Sequence, residues 1–181
     1  MGGSMNINTV SMWDKKYGDP KAPLVWSSDS RLHPYDLVAE VLSDEPARIL
    51  DVGSGLGIGA AHLMSLNKDW EVEGLDFSPK ACRDSSVVSH CLDIRTDPLP
   101  GQYDYIISVQ TMEHMVEPLV IIRKLCEAAT KAVILTVPYG GGLSDQHQTV
   151  FNEYDFSGFD PVEIFTQVWG HRSYMRVVIR K

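Results

Sequence analysis

From Ile49 to Gly57 the chain reads Ile-Leu-Asp-Val-Gly-Ser-Gly-Leu-Gly, an apolar run that turns directly into a glycine loop, with an acid, Asp51, two places before the first glycine. Glycine permits positive φ and has no Cβ to hold a ligand away from the backbone. The stretch that follows, Ile58 to Asn67, keeps apolar residues at helical spacing at Ile58, Ala61 and Leu66, so the pattern predicts strand, glycine loop and helix in succession. The first N–H groups of such a helix have no partner inside it and face whatever binds at the loop. A backbone built this way suits a nucleotide-like ligand and belongs in a parallel sheet.

The rest of the pattern agrees. Apolar, β-branched runs at Arg48 to Val52, Glu71 to Phe77, Val87 to Leu92, Tyr103 to Gln110 and Ala132 to Val137 alternate with helical stretches, the grammar of a parallel sheet covered on both faces. Between the fourth and fifth runs Pro118 stands at a first helical position, and Leu119, Ile122, Leu125, Cys126 and Ala129 give the helix an apolar face. Tyr35 to Leu42 reads as a helix leading into the first strand, and Asn152 to Gly158 as a short one. Glu163 to Trp169 and Tyr174 to Arg180 flank Gly-His-Arg-Ser, a hairpin turn. The predicted fold is α/β: a doubly wound, mostly parallel seven-stranded sheet with helices on both faces and a C-terminal antiparallel hairpin. Residues 1–4 read as an expression scar, 5–34 as an N-terminal flap rich in Trp, Tyr, Pro and Lys with little periodicity, and 35–181 as a single domain.

Charge limits the partners. A formal charge of −8 on 181 residues disfavours a surface that grips a polyanion, which needs clustered Lys and Arg; no DNA is expected. No apolar run is long enough to span a membrane and no basic-then-apolar leader opens the chain, so the expected location is cytoplasmic. Cys82, Cys91 and Cys126 are odd in number and lack Cys-x-x-Cys spacing, which predicts reduced thiols rather than a disulfide framework or zinc site. Nothing in the pattern fixes an oligomeric state.

Two ligands compete for the loop. Gly55-Leu-Gly57-Ile-Gly-Ala60 satisfies the dinucleotide pattern Gly-x-Gly-x-x-Ala, which would make the protein an NAD(P)-dependent oxidoreductase. The other unit is Asp51-x-Gly53-x-Gly55-x-Gly57, and it comes with Asp76 and Asp93 at the ends of the next two strands. A ligand with an amine, two hydroxyls and an adenine edge needs acceptors at separated points, which successive parallel strands deliver along one sheet edge. A pyrophosphate beside Asp51 would instead meet a like charge.

From Ile49 to Pro138, in order and spacing, the chain resembles the Rossmann-like (class I) S-adenosylmethionine-dependent methyltransferases. The resemblance implies S-adenosyl-L-methionine as cofactor and S-adenosyl-L-homocysteine as product. It implies Gly53, Ser54, Gly55 and Gly57 against the methionine and ribose part, with Asp51 favouring the ammonium directly or through water. Asp76, followed by Phe77, falls where the family hydrogen-bonds the ribose hydroxyls. Asp93 falls where the family accepts from the adenine amino group, with Ile94 covering the ring. Gln110 ends the fourth strand, and Thr-Met-Glu113-His114 after it is similar to the Glu-His pair of many members.

The implied activity is transfer of a methyl group to an oxygen or nitrogen of a small-molecule acceptor. Displacement at a sulfonium calls mainly for alignment and exclusion of water, with a base where the acceptor is a hydroxyl or ammonium. His114 and His147 are the candidates, both expected in loops beyond strand ends. Trp13, Tyr17 and Trp26 of the flap and Tyr139 beside Gly140 to Gly142 are candidates to close over acceptor and cofactor. No metal is expected, because Gln110 stands where a metal site would want another carboxylate. The Asn/Asp-Pro-Pro-aromatic signature of DNA-base methylation is absent after the fourth strand, where Gln110-Thr-Met-Glu stands. A non-catalytic cofactor-binding or interaction protein of the same fold is the remaining alternative.

Overall fold

The computed structural model describes residues 8–181, so the scar assigned to residues 1–4 lies outside the described residues. Seven strands form one sheet: β1 (Ala47–Val52), β2 (Trp70–Asp76), β3 (Ser89–Cys91), β4 (Tyr103–Val109), β5 (Ala129–Pro138), β6 (Val162–Trp169) and β7 (Arg172–Arg180). Their order is β3-β2-β1-β4-β5-β7-β6. The β1, β2, β3, β4 and β5 pairings are parallel, while β7 runs antiparallel to both β5 and β6, as the sequence predicts. Gly170, with φ 61°, is the first of the two residues linking β6 to β7, the position a type II′ hairpin reserves for glycine.

Central strands buried on both faces need apolar residues throughout rather than in alternation. Ile49, Leu50 and Val52 in β1, Ile106 and Ile107 in β4, and Ile134 and Leu135 in β5 are all at most 1% exposed, which meets that need. One face packs under α6 (Pro118–Ala128), which buries Ile122 and Leu125. The other packs under α3 (Asp29–Ala39) and α4 (Ile58–Leu66). The strand order reverses beside β1, so the crevice between the ends of β1 and β4 is the point where open α/β sheets hold ligands.

The N-terminal segment differs from the sequence expectation. It is helical: α1 (Val10–Tyr17), α2 (Ala22–Trp26) and then α3, which starts six residues before Tyr35. The α1 signals were short but present, a Thr9 side chain that accepts from Met12 N–H at 3.3 Å and Lys15 and Lys16 in the last turn. Pro34 sits inside α3, where its missing N–H leaves the Ser30 carbonyl without an intrahelical donor. The Tyr174 hydroxyl donates to that carbonyl at 3.3 Å, so a tertiary bond carries the helix through a proline that would ordinarily start it. The third strand is also shorter than Val87 to Leu92, only Ser89–Cys91. All three cysteines are free, with Cys91 exposed rather than packed. No helix among the described residues is long and apolar enough to cross a membrane.

Candidate active site

The glycine loop joins β1 to α4 with positive φ at Gly53 (83°), Gly55 (54°) and Gly57 (69°). The protein itself crowds all three positions, Gly57 through Ser85 Oγ at 2.5 Å from where a Cβ would fall. A Cβ on Gly53 would fall 2.3 Å from Thr111 Oγ1, and one on Gly55 would fall 2.9 Å from the Tyr17 ring. Two glycines read from sequence as room for a ligand are therefore also demanded by the loop after β4 and by α1. Gly57 caps α4 and stands outside the cavity that the loop borders.

That cavity, about 580 Å³, runs along the C-terminal ends of β1, β2, β4 and β5, within the usual range for small-molecule sites. At one end it is lined by Gly53, Ser54 and Gly55, and by Asp76, Phe77, Asp93 and Ile94 from the ends of β2 and β3. Asp76 is 4% exposed and ties two turns together, accepting from Gly55 N–H and Ser78 N–H at 2.9 Å each. Burial raises its carboxyl pKa, against the pull of those backbone donors. Asp93 is gripped by Arg95 through Nε at 2.8 Å and Nη2 at 2.6 Å, which holds its carboxyl below the usual range. Asp93 lines the cavity together with Arg95 and Phe77, and the Arg95 guanidinium lies over the Phe77 ring at 5.2 Å.

Asp51 stands one layer behind this wall. It is fully buried; Tyr35 Oη donates to its Oδ2 at 2.9 Å, and Oδ1 has no partner among the described residues. Burial pushes its pKa up to about 7, the Tyr35 hydrogen bond opposing and the Asp76 charge adding. Its neighbours Val52 and Tyr35 are the groups that line the cavity.

The other end is built from Gln110, Glu113 and His114 after β4, Tyr139 and His147 after β5, and Trp13 and Tyr17 from α1. Gln110 has a positive φ of 52°, uncommon for a residue with a side chain, and its Nε2 is buried without a partner among the described residues. Trp13 meets His114 edge to face at 5.2 Å, and His114 meets His147 the same way at 5.2 Å. Burial drives the His114 pKa down to about 4, partly offset by its bond to the Gln146 carbonyl, and lowers that of His147 as well. Both rings are neutral near pH 7. Glu113, 2% exposed, is pushed up to about 8 by burial. The Tyr139 hydroxyl donates to Glu153 Oε1 at 2.6 Å, so it belongs to the rim.

Sequence reasoning overlooked the cations here. Lys16, Arg31 and Arg172 line this end, on an acidic protein. Arg31 lies over the Trp26 ring at 4.6 Å, and neither Arg31 nor Arg172 forms an ion pair with any described carboxylate. Each sits in a segment with no motif of its own, and only the α3 fold and the β6–β7 turn bring them to one wall.

A family model described as a methyltransferase domain matches residues 29–163, and the chain belongs to that family. Among solved structures, the S-adenosylhomocysteine complex of DhpI aligns over 99% of this chain and 98% of its own with a TM-score of 0.74 at 13% identity. Magnesium protoporphyrin IX methyltransferase from Synechocystis PCC 6803, with bound S-adenosylhomocysteine, covers 96% and 95% with a TM-score of 0.67 at 19% identity. Coclaurine N-methyltransferase covers 76% of this chain and 50% of its own, with a TM-score of 0.61 at 20% identity. The fold is thus that of enzymes that draw a methyl group from S-adenosylmethionine.

Proposed function

We propose that the protein transfers a methyl group from S-adenosylmethionine to an oxygen or nitrogen of an anionic small molecule. One observation carries the acceptor half of this reading: a single cavity has acidic strand ends at one end and two guanidinium groups without carboxylate partners at the other. The cofactor supplies a methyl on a sulfonium, and the chain's own residues do the rest. Asp76 and Asp93 offer acceptors to the ribose hydroxyls and the adenine amine, and Phe77 and Ile94 offer apolar cover. Gly53 to Gly55 let the backbone come close, and Asp51 gives the ammonium a carboxylate from behind the loop. Trp13 and Tyr17 keep water from the transfer path. Arg31 and Arg172 hold an acceptor carboxylate or phosphate so that its nucleophile faces the sulfonium in line. The dinucleotide reading has no comparable support, because the loop's charged neighbours are acids.

The acceptor test is direct. Carboxylate-bearing hydroxy and amino compounds should be methylated, and their neutral methyl esters should not; equal rates on both would end the anionic-acceptor reading. Arg31→Met should raise KM for a charged acceptor by about 10–100-fold, since a hydrogen bond to a charged group contributes about 1.5–3 kcal/mol. Affinity for S-adenosylhomocysteine, measured by calorimetry, should stay at the parent value.

Asp51 gives a pH signature. In the ligand-free protein its pKa is raised from 3.8 to about 7, so its contribution to stability is complete below the unfolded value and is lost as pH rises through about 7. A bound ammonium favours the anion and reverses that loss. Binding of S-adenosylhomocysteine near pH 6 should therefore release protons, seen as heats that change with the ionisation enthalpy of the buffer, and affinity should climb up to about pH 7. Asp51→Asn should abolish this part of the proton release and weaken binding by about 1.5 kcal/mol. Identical proton release in the variant would remove Asp51 from the ammonium's surroundings.

A further inference from the structure

Glu113, His114 and His147 bring a carboxylate oxygen and two imidazole nitrogens within 4.8 Å of one another, on the wall of the same cavity. We propose that these three side chains bind one divalent transition-metal ion, of the class that includes Zn2+, Mn2+ and Fe2+, with its open positions toward the acceptor. The proposal rests on the methyl-transfer reading for what the ion would act on, but not for its binding.

Glu113 is the first reason. Its Oε2 is buried and has no partner among the described residues, and a buried oxygen without a partner is costly whether or not the group carries a proton. Arg31 is near enough to act on it electrostatically but makes no ion pair with it. An ion coordinated by Oε2 resolves that mismatch.

The histidines are the second. His114 Nδ1 lies 2.9 Å from the Gln146 carbonyl, which can only accept, so Nδ1 carries the proton and Nε2 keeps its lone pair. A carbonyl on the distal nitrogen is how proteins orient a ligating imidazole. The Gln146 carbonyl also accepts from Asn8 Nδ2 at 2.8 Å, and Lys16 Nζ donates to the Gln146 side chain at 3.0 Å, so the orienting residue is itself held.

The third is how the parts are joined. His147 comes from a different loop, yet Gln148 N–H and Thr149 N–H both donate to the Glu113 carbonyl, at 2.8 and 3.1 Å. The segment that carries the second imidazole is pinned to the residue that supplies the carboxylate. Tetrahedral ligands at about 2.0–2.1 Å from a metal stand roughly 3.4 Å apart, so closing the cluster from within 4.8 Å takes side-chain movement of up to about 1.4 Å, which the half-buried His147 can supply. Two nitrogens and one oxygen select against Mg2+ and Ca2+, which want oxygen shells. Sequence spacing argued against a metal because Gln110 replaces a carboxylate; the fold brings in His147 from beyond β5 instead. Arg31 and Lys16 nearby add positive charge, so the ion's open positions suit an anionic acceptor oxygen.

The chelator-treated chain of residues 1–181 should be titrated with Co2+ and followed by its visible absorption, with Zn2+ as competitor. One Co2+ per chain should bind, and His147→Ala and Glu113→Gln should each weaken it by at least about tenfold, a ligand counting for no less than its supporting partners. His62→Ala, at a half-buried histidine paired with Asp36 away from the cavity, should bind Co2+ like the parent and serves as the control for adventitious sites. Should Glu113→Gln fail to fold, His147→Ala, at a half-buried position outside the helices and strands, carries the test. No uptake at about 1 mM Co2+, or equal uptake by the parent and His147→Ala, would overturn the site. S-adenosylhomocysteine binding measured on the same sample keeps the two readings apart: it tests the methyltransferase assignment whether or not Co2+ binds.

Discussion

Asp76→Ala is expected to lower affinity for S-adenosylhomocysteine by at least about a hundredfold, the equivalent of roughly 2.8 kcal/mol. Two losses combine. The carboxylate accepts from Gly55 N–H and Ser78 N–H in a buried setting, and each donor left without a partner costs about 1–3 kcal/mol. The bond to the ribose, about 1.5–3 kcal/mol for a charged acceptor, goes as well. The variant should therefore unfold at lower denaturant, by about 2–6 kcal/mol, and bind the cofactor poorly even where it is fully folded. Asp76→Asn separates the two roles, because the amide keeps one oxygen acceptor but turns a donor toward the second N–H. It should recover part of the stability and little of the affinity. Calorimetry and urea unfolding on the three proteins decide the matter: parent-like affinity with reduced stability would leave Asp76 as a brace of the loop alone.

What sequence could and could not convey follows from the range of the forces involved. The β1 run and its glycines were legible because strand burial and positive φ are written in neighbouring residues. Asp76 and Asp93 were legible because parallel strands end at one edge, so position along a strand becomes position in space. The cavity end that faces the acceptor was not. Arg31 from α3 and Arg172 from the hairpin meet only after the sheet closes, and Glu113 was visible as half of a Glu-His pair but not as a fully buried group. Asp51 shows the same limit from the other side: the motif marks it, yet only the Tyr35 hydroxyl from α3 reveals that it lies behind the wall. Pro34 shows the limit again, since the Tyr174 hydroxyl that bonds the Ser30 carbonyl inside its helix is brought in by β7.

Gly53→Ala is expected to cost about 2–5 kcal/mol of stability and to weaken the cofactor site with it. At φ 83° an L-residue carries roughly 1–2 kcal/mol of backbone strain. The new Cβ would also sit 2.3 Å from Thr111 Oγ1 and 2.8 Å from Thr111 Cβ, an overpacking penalty of about 1–3 kcal/mol. Thr111 has little room to yield, because its hydroxyl donates to the Val109 carbonyl at 3.2 Å and its neighbour Met112 is fully buried. The displacement should pass into the segment from Gln110 to His114, so that an added methyl in the cofactor loop disturbs the acceptor end. Gly53→Ala combined with Thr111→Gly removes the collision and leaves the φ strain. Measured against Thr111→Gly alone, it should lose only about 1–2 kcal/mol, while the single Gly53→Ala variant loses more than the parent by the steric difference. Unfolding free energies of the four proteins form the cycle. A coupling energy near zero would mean that the two loops do not touch as described, and that cofactor and acceptor ends of the cavity are set independently.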